Sequence, residues 1–292
     1  MSSETNGTDP TNLTAPQIKM EQALSELQSS LYAPEDQASI LGQEYAFDKV
    51  NELSRINHSP AEITILSKPI ATFIPPSTKL APGFLTQKNI KLDDPTAYTG
   101  SAKFLRTTFS RLKDKIEPKR ALFNAALSAA HYGQAEYFEG YDGNGRRRDF
   151  TLAETVDDEP GSAVSIAELK GMAKCMERSA VAHNILTMYG VTSQLETGRL
   201  TIMKPDGTQS TENHAFLRIT QLNGEEMLFD VMNPIYVDRK DGSRDAKPSL
   251  YAIEAGSREP VTAELIQQKR GIDGLQSTVA ANLTFEFTDI AA

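Results

Sequence analysis

The sequence predicts an α+β protein with a mainly helical N-terminal half. Apolar residues recur at helical spacing at Phe104, Phe109, Leu112 and Ile116, and the same spacing returns after Pro118. Further along the chain, short apolar segments alternate with turn sequences, which is typical of antiparallel strands. A core of helices packed on an antiparallel sheet accounts for both patterns.

Composition and charge exclude several classes of function. The chain has 292 residues and a net charge of -9, which disfavours nonspecific binding to nucleic acid or anionic lipid. It has neither the roughly 20 consecutive apolar residues of a membrane helix nor the layout of a signal peptide. Its single cysteine cannot form an internal disulfide. We therefore expect a cytoplasmic protein, or one exported without a classical signal peptide, and no membrane insertion.

The part of the chain before residue 141 divides into a lead and a helical region. Residues 1–15 are polar and predict a disordered lead. Residues 16–140 predict a helical region, in which helical runs begin at Ala15 and at Glu35. Recurring prolines at 59–99 interrupt this region and indicate an extended arm or irregular connection. In the last part of the region, Pro118 suits the first turn of a helix, where its missing N–H costs nothing.

Residues 141–292 predict a second domain. A turn-rich start and a short strand near 149–154 precede a helical segment from Ala163 to Tyr189, which Gly190 ends. Gly171 divides that segment and lets a second helix begin near Cys175. Three predicted strands follow, at Val191–Met203, Asn213–Leu222 and Glu226–Met232. The turns between them are Pro205-Asp-Gly207 and Asn223-Gly224.

Cys175 is a candidate nucleophile because of its predicted place at a helix start. A thiol attacks an acyl group only as thiolate, so it needs a base or a positive field nearby. The helix dipole and the free N–H groups of the first turn favour negative charge there. The backbone N–H of Cys175 is also a candidate donor to an oxyanion.

His214 is the candidate base among the four histidines. His183 lies eight residues further along the same helix, about 12 Å from Cys175 at the helical rise, so it is out of reach. His58 lies in a proline-flanked loop and His131 on a predicted helix, and neither has a supporting pattern. His214 lies on a strand that can fold back against the helix start.

Asp230 is the candidate orienting carboxylate, and strand register tests whether it can reach His214. A two-residue turn at Asn223-Gly224 would place His214 and Asp230 on opposite faces of the hairpin. A three-residue turn, with Leu222 included and Gly224 left-handed in a bulge, pairs Phe216 with Asp230. His214 and Asp230 then share a face. A Cys-His-Asp triad therefore predicts a bulged or longer hairpin.

A structural interpretation of the same residues stays open. A lone cysteine in an apolar helix is commonly a small core residue. A histidine in a strand and an aspartate before Asn-Pro are also common in packing or turns. Taken together, the order of the three residues, their element types and their spacing favour a site.

These motifs resemble the transglutaminase-like superfamily, which is related to papain, over residues 163–235. The matching residues are Cys175 with Tyr189-Gly190-Val191, then His214-Ala215-Phe216, then Asp230 with Pro234. The resemblance implies a cysteine-bearing helix packed on an antiparallel sheet, within a catalytic domain at 141–292. It also implies that Cys175 is the nucleophile, His214 the general base and acid, and Asp230 the orienting residue. Many members have Trp at the position of Phe216, and this chain has no Trp.

The implied chemistry is acyl transfer from an amide through a thioester. Water as acceptor makes the protein a protease, amidase or glutamine deamidase, and a lysine amine makes it a crosslinking transglutaminase. The implied substrate is a protein or peptide, with no metal and no organic cofactor. Two alternatives stay open: a catalytically inactive binding or scaffolding module, and a secreted bacterial effector that modifies a host glutamine.

Overall fold

The computed structural model describes residues 64–65, 71, 74, 79–80, 89–94, 96–139, 163–171, 173–238, 244–271 and 274–287. Within these ranges the fold is α+β. The predicted lead at 1–15, the helical runs that begin at Ala15 and Glu35, and the strand near 149–154 lie outside the described residues.

Four α-helices are described, and two of them are long. Their bounds are α1 Thr96–Thr99, α2 Ala102–Leu112, α3 Pro118–Glu139 and α4 Cys175–Met188. The predicted helices around Phe109 and after Pro118 are confirmed, and Pro118 is the first residue of α3. The helix that carries Cys175 is confirmed as well, and it ends just before Gly190, whose φ is 74°.

In the described part of the chain, ten strands form two sheets. Their bounds are β1 Thr64–Ile65, β2 Lys79–Leu80, β3 Asn89–Lys91, β4 Ala163–Ser165, β5 Ser193–Met203, β6 Gln209–Thr220, β7 Glu226–Asp238, β8 Arg244–Ile253, β9 Val261–Gly271 and β10 Gly274–Phe287. The small sheet has the order β1-β2-β3-β4. The large sheet has the order β6-β5-β10-β9-β7-β8.

The large sheet closes on itself because β7 pairs with β6 as well as with β9. A small apolar cluster that includes Leu200, Phe216, Leu228, Leu283 and Phe285 lies on the inner face of the ring. A larger core joins the helices to the opposite face. That core contains residues from both sides of position 140, so the helical segment and the strand-rich segment pack together.

The structure corrects several predicted elements. Ala163–Ser165 is a strand rather than the start of a helix, because its backbone pairs with Asn89–Lys91 of β3. The predicted arm at 59–99 includes the short strands β1 to β3 and the helix α1, and the Asp94 carboxylate accepts a hydrogen bond from the Thr96 N–H at the start of that helix. The strands β6 and β7 are longer than predicted, and β8, β9 and β10 were not predicted.

None of the helices in the described ranges has the length and apolar character needed to cross a membrane.

Candidate active site

Cys175 is the first residue of α4. The chain turns at Gly171, whose φ is 83°, and Lys174 precedes the helix in an extended conformation. The Glu177 carboxylate accepts a hydrogen bond from the Lys174 N–H at 2.9 Å, which satisfies one donor at the helix start. The N–H of Cys175 is among the first-turn groups that have no carbonyl partner within the helix. The predicted helix start is therefore confirmed, and the Cys175 N–H stays a candidate oxyanion donor.

The helix α4 is the central helix of the fold, since twelve of its fourteen residues are buried. It contacts α3 on one side and the strands β5, β6 and β7 on the other. One turn after Cys175, the Ser179 hydroxyl donates to the carbonyl of Ala215 at 3.0 Å. This bond joins the start of α4 to Ala215, the residue after His214. It therefore fixes where Cys175 lies along the length of β6.

The β6–β7 hairpin has the register that the triad requires. Leu217 pairs with Phe229 and Thr220 with Glu226, and the Gln221 N–H donates to the Glu225 carbonyl. Leu222, Asn223 and Gly224 therefore form a three-residue turn, in which Gly224 has a φ of 86°. The same register places Phe216 opposite Asp230, with His214 on the same face. The three-residue turn is confirmed, and the two-residue alternative is wrong.

His214 and Asp230 form a buried pair. The distance between His214 Nε2 and Asp230 Oδ1 is 3.1 Å, and the two side chains are 1% and 0% exposed. Burial is the largest single influence on the pKa of His214 and lowers it, but the charge of Asp230 and the contacts with Asp230 and Cys175 together outweigh burial and raise that pKa to about 10. Burial also acts to raise the pKa of Asp230, and the charge of His214 holds it below its usual value.

The Cys175 thiol approaches the same histidine. Its interaction with the ring contributes to the raised pKa of His214. Because Nε2 lies 3.1 Å from Asp230, Nδ1 is the ring nitrogen left for the thiol. Both ring nitrogens are buried, and among the described residues neither makes a well-aligned hydrogen bond. The thiol also lies 3.9 Å from the carbonyl oxygen of Asn213, the neighbour of His214. The three predicted site residues are thus brought together at one end of the ring.

Asp230 has two further partners that sequence reasoning missed. The Met232 N–H donates to Oδ1 at 2.9 Å, and the Asn233 side-chain amide donates to Oδ2 at 2.7 Å. These residues lie in a bulge of β7, between the pairs Asp230 with Ser249 and Ile235 with Lys247. Between these two pairs, β7 advances by five residues and β8 by only two, so β7 carries three extra residues there. The Asn233-Pro234 pair after Asp230 was the available signal, but it was interpreted as a strand end.

An open cleft of about 500 Å³ leads to the thiol. Its lining consists of Lys174, Cys175, Arg199, Thr211, Glu212, Asn213, His214 and Met232. Lys174 and Arg199 bring two positive charges to the mouth of the cleft, and Glu212 brings one negative charge. The cleft is therefore accessible to solvent, and its lining carries charges of both signs.

The other histidines are separate from this site. His183 is fully buried in α4, with its Nδ1 3.1 Å from the Ser193 hydroxyl, as expected for a structural residue. His131 is buried in α3, and burial lowers its pKa to about 4, so it is neutral near pH 7. His58 lies outside the described residues.

Within the described ranges, no group of three or more His, Cys, Asp or Glu side chains is arranged to hold a metal ion. Comparisons with protein-family models, curated proteins and solved structures found no match to this chain.

Proposed function

We propose that the protein is a cysteine-dependent enzyme that transfers an acyl group from an amide through a thioester. The single observation that carries this proposal is the arrangement of His214, whose ring is paired with buried Asp230 and approached by the Cys175 thiol. A thiol, a base and an orienting carboxylate in this order are the parts of a nucleophilic triad. The proposal includes a papain-like or transglutaminase-like core, supported by a helix that begins with Cys175 and packs on the antiparallel strands β5, β6 and β7.

In the first half-reaction, His214 holds the proton of the Cys175 thiol as an imidazolium, which its raised pKa favours, and the sulfur attacks the carbonyl carbon of the amide as a thiolate. The oxyanion that forms accepts a hydrogen bond from the Cys175 N–H at the start of α4. When the carbon–nitrogen bond breaks, the His214 imidazolium donates its proton to the leaving amine. Asp230 holds the ring and stabilises its positive charge through both transfers.

In the second half-reaction, the thioester passes its acyl group to an acceptor. His214 takes a proton from water or from a primary amine, and the acceptor attacks the thioester carbon and releases the thiol. Water gives a protease, amidase or glutamine deamidase, and an amine gives a crosslinker. Water is the favoured acceptor, because the cleft is open to solvent and water needs no binding site of its own.

The test is mass analysis of substrates incubated with the protein. A mixture of unstructured, glutamine-containing peptides is used, with and without propylamine, and the Cys175→Ala variant is the matched control. Cleavage, deamidation or amine incorporation that requires Cys175 supports the proposal and identifies the acceptor. If the protein and the Cys175→Ala variant leave the same peptide masses, the result favours the binding-module alternative.

A further inference from the structure

We propose that Asn233 is a positioning residue that fixes the Asp230 carboxylate against His214, and that Ser249 holds Asn233 in place. This inference rests on the proposed function of Cys175, His214 and Asp230. Asn233 does not itself line the cleft, and its side-chain amide donates to Asp230, so its role is exerted through Asp230.

The two oxygens of Asp230 are held differently. Oδ1 faces His214 Nε2 and also accepts from the Met232 N–H at 2.9 Å and, more weakly, from the Asn233 N–H at 3.4 Å. Among the described residues, Oδ2 accepts a hydrogen bond only from the Asn233 side-chain amide, at 2.7 Å. Because Asp230 is fully buried, no bulk water is available to replace that donor. The Asn233 amide therefore sets the rotation of the carboxylate and, with it, the direction in which Oδ1 points.

Asn233 is itself tied to the neighbouring strand. The Ser249 hydroxyl donates to the Asn233 carbonyl, and Ser249 is the residue of β8 that pairs with Asp230. Ser249 is fully buried. The bond thus connects the bulge back to the regular ladder beside Asp230, so the extra residues of β7 form a fixed loop around the carboxylate.

The chemistry of an amide suits this position. An asparagine side chain donates to the carboxylate and stays neutral at every relevant pH, so it stabilises the charged form of Asp230 without competing for its proton. A hydrogen bond to a charged group is among the stronger ones in proteins, which gives the contact enough energy to matter. Loss of this donor raises the pKa of Asp230 and frees its carboxylate to rotate, so Oδ1 no longer points at His214 Nε2 and the attraction that opposes the effect of burial on His214 weakens.

The experiment measures two properties of the Asn233→Ala and Ser249→Ala variants in the full chain. The first is the rate at which iodoacetamide labels Cys175, the only cysteine, between pH 5 and 9. The second is the titration of the His214 ring by NMR. The matched control is Asn223→Ala, because the Asn223 side chain also makes a local bond, in which its oxygen accepts from the Glu225 N–H at the far end of the hairpin.

We expect labelling at pH 6 to fall about tenfold in Asn233→Ala and about threefold in Ser249→Ala, and the His214 pKa to fall in both. Asn223→Ala should leave both properties unchanged. A merely structural role for Asn233 would lower the melting temperature without moving the titration of His214. If Asn233→Ala does not fold, the titration of His214 in Ser249→Ala tests the positioning role instead.

The proposal is overturned if Asn233→Ala folds and His214 titrates as it does in the unmodified protein. If only Ser249→Ala folds, an unchanged His214 titration in that variant overturns it. The proposed function is tested separately, by comparing the labelling rate of Cys175 in the unmodified protein and in His214→Ala. If the unmodified protein labels no faster than His214→Ala while Asn233→Ala still shifts the His214 titration, the acyl-transfer proposal fails and the positioning role stands.

Discussion

His214 and Asp230 lie on the same face of the β6–β7 hairpin, with Nε2 and Oδ1 3.1 Å apart in a buried environment. Their proximity depends on the three-residue turn, because a shift of one residue would move one of them to the other face. The pair is the electrostatic basis of the proposed site, since it keeps a positive charge available beside the Cys175 thiol.

Asp230→Asn should lower the pKa of His214 from about 10 to below 6.5, because burial then acts without an opposing charge. NMR titration of the His214 ring measures the change. Asp206→Asn, in the exposed β5–β6 turn, is the control and should leave that pKa unchanged. An unchanged His214 titration in Asp230→Asn would mean that the pair does not carry the charge assigned to it.

The sequence was sufficient to predict a hairpin between these strands, because the relevant signals are local, and the triad hypothesis then selected the register that joins His214 and Asp230. Gly171 and Gly190 bound the segment that contains α4, and Leu222-Asn223-Gly224 has the composition of a bulged turn. The positions of His214 and Asp230 then follow from a period of two residues. Each of these features is determined by neighbours within a few positions along the chain.

The remaining features depend on distant pairing. The closed ring forms because β7 meets both β6 and β9, and no local pattern in Glu226–Asp238 indicates two different partners. The bulge that brings Asn233 onto Asp230 is defined against β8, a strand that was not predicted. The strand at Ala163–Ser165 likewise depends on residues 89–91, more than 70 positions earlier.

Gly224→Ala and Gly207→Ala should each lower the free energy of unfolding by about 1 kcal/mol. Both glycines have φ near +85° in open hairpin turns, so the cost comes from backbone conformation and not from a clash. Urea denaturation measures it. No loss of stability in Gly224→Ala would contradict the left-handed conformation on which the hairpin register depends.

Stability should fall on acidification partly because of His131. Its folded pKa of about 4 is below the unfolded value of 6.5, so its contribution is present above pH 6.5 and is lost as the pH falls toward 4. The loss over that window is about 3 kcal/mol. His131→Phe should reduce the slope of unfolding free energy against pH in urea titrations. A slope equal to that of the unmodified protein would contradict a buried, neutral His131.

The charged lining of the cleft should favour anionic reagents. Lys174 and Arg199 attract iodoacetate, so the ratio of iodoacetate to iodoacetamide labelling should fall about threefold in Arg199→Glu. Glu212→Gln is the opposite control and should raise the ratio. High salt should reduce both effects. If Arg199→Glu, Glu212→Gln and high salt all leave the labelling ratio unchanged, these residues do not face the path to the thiol.

The proposed role of Cys175 is tested most directly by its labelling rate at pH 6 with and without His214. Iodoacetamide should label the unmodified protein much faster than a free thiol, by about tenfold or more, and His214→Ala should remove that advantage. Because the chain has one cysteine, intact mass reports the reaction at Cys175 alone. Equal rates in the two folded proteins would contradict an activated nucleophile and, with it, the proposed enzyme.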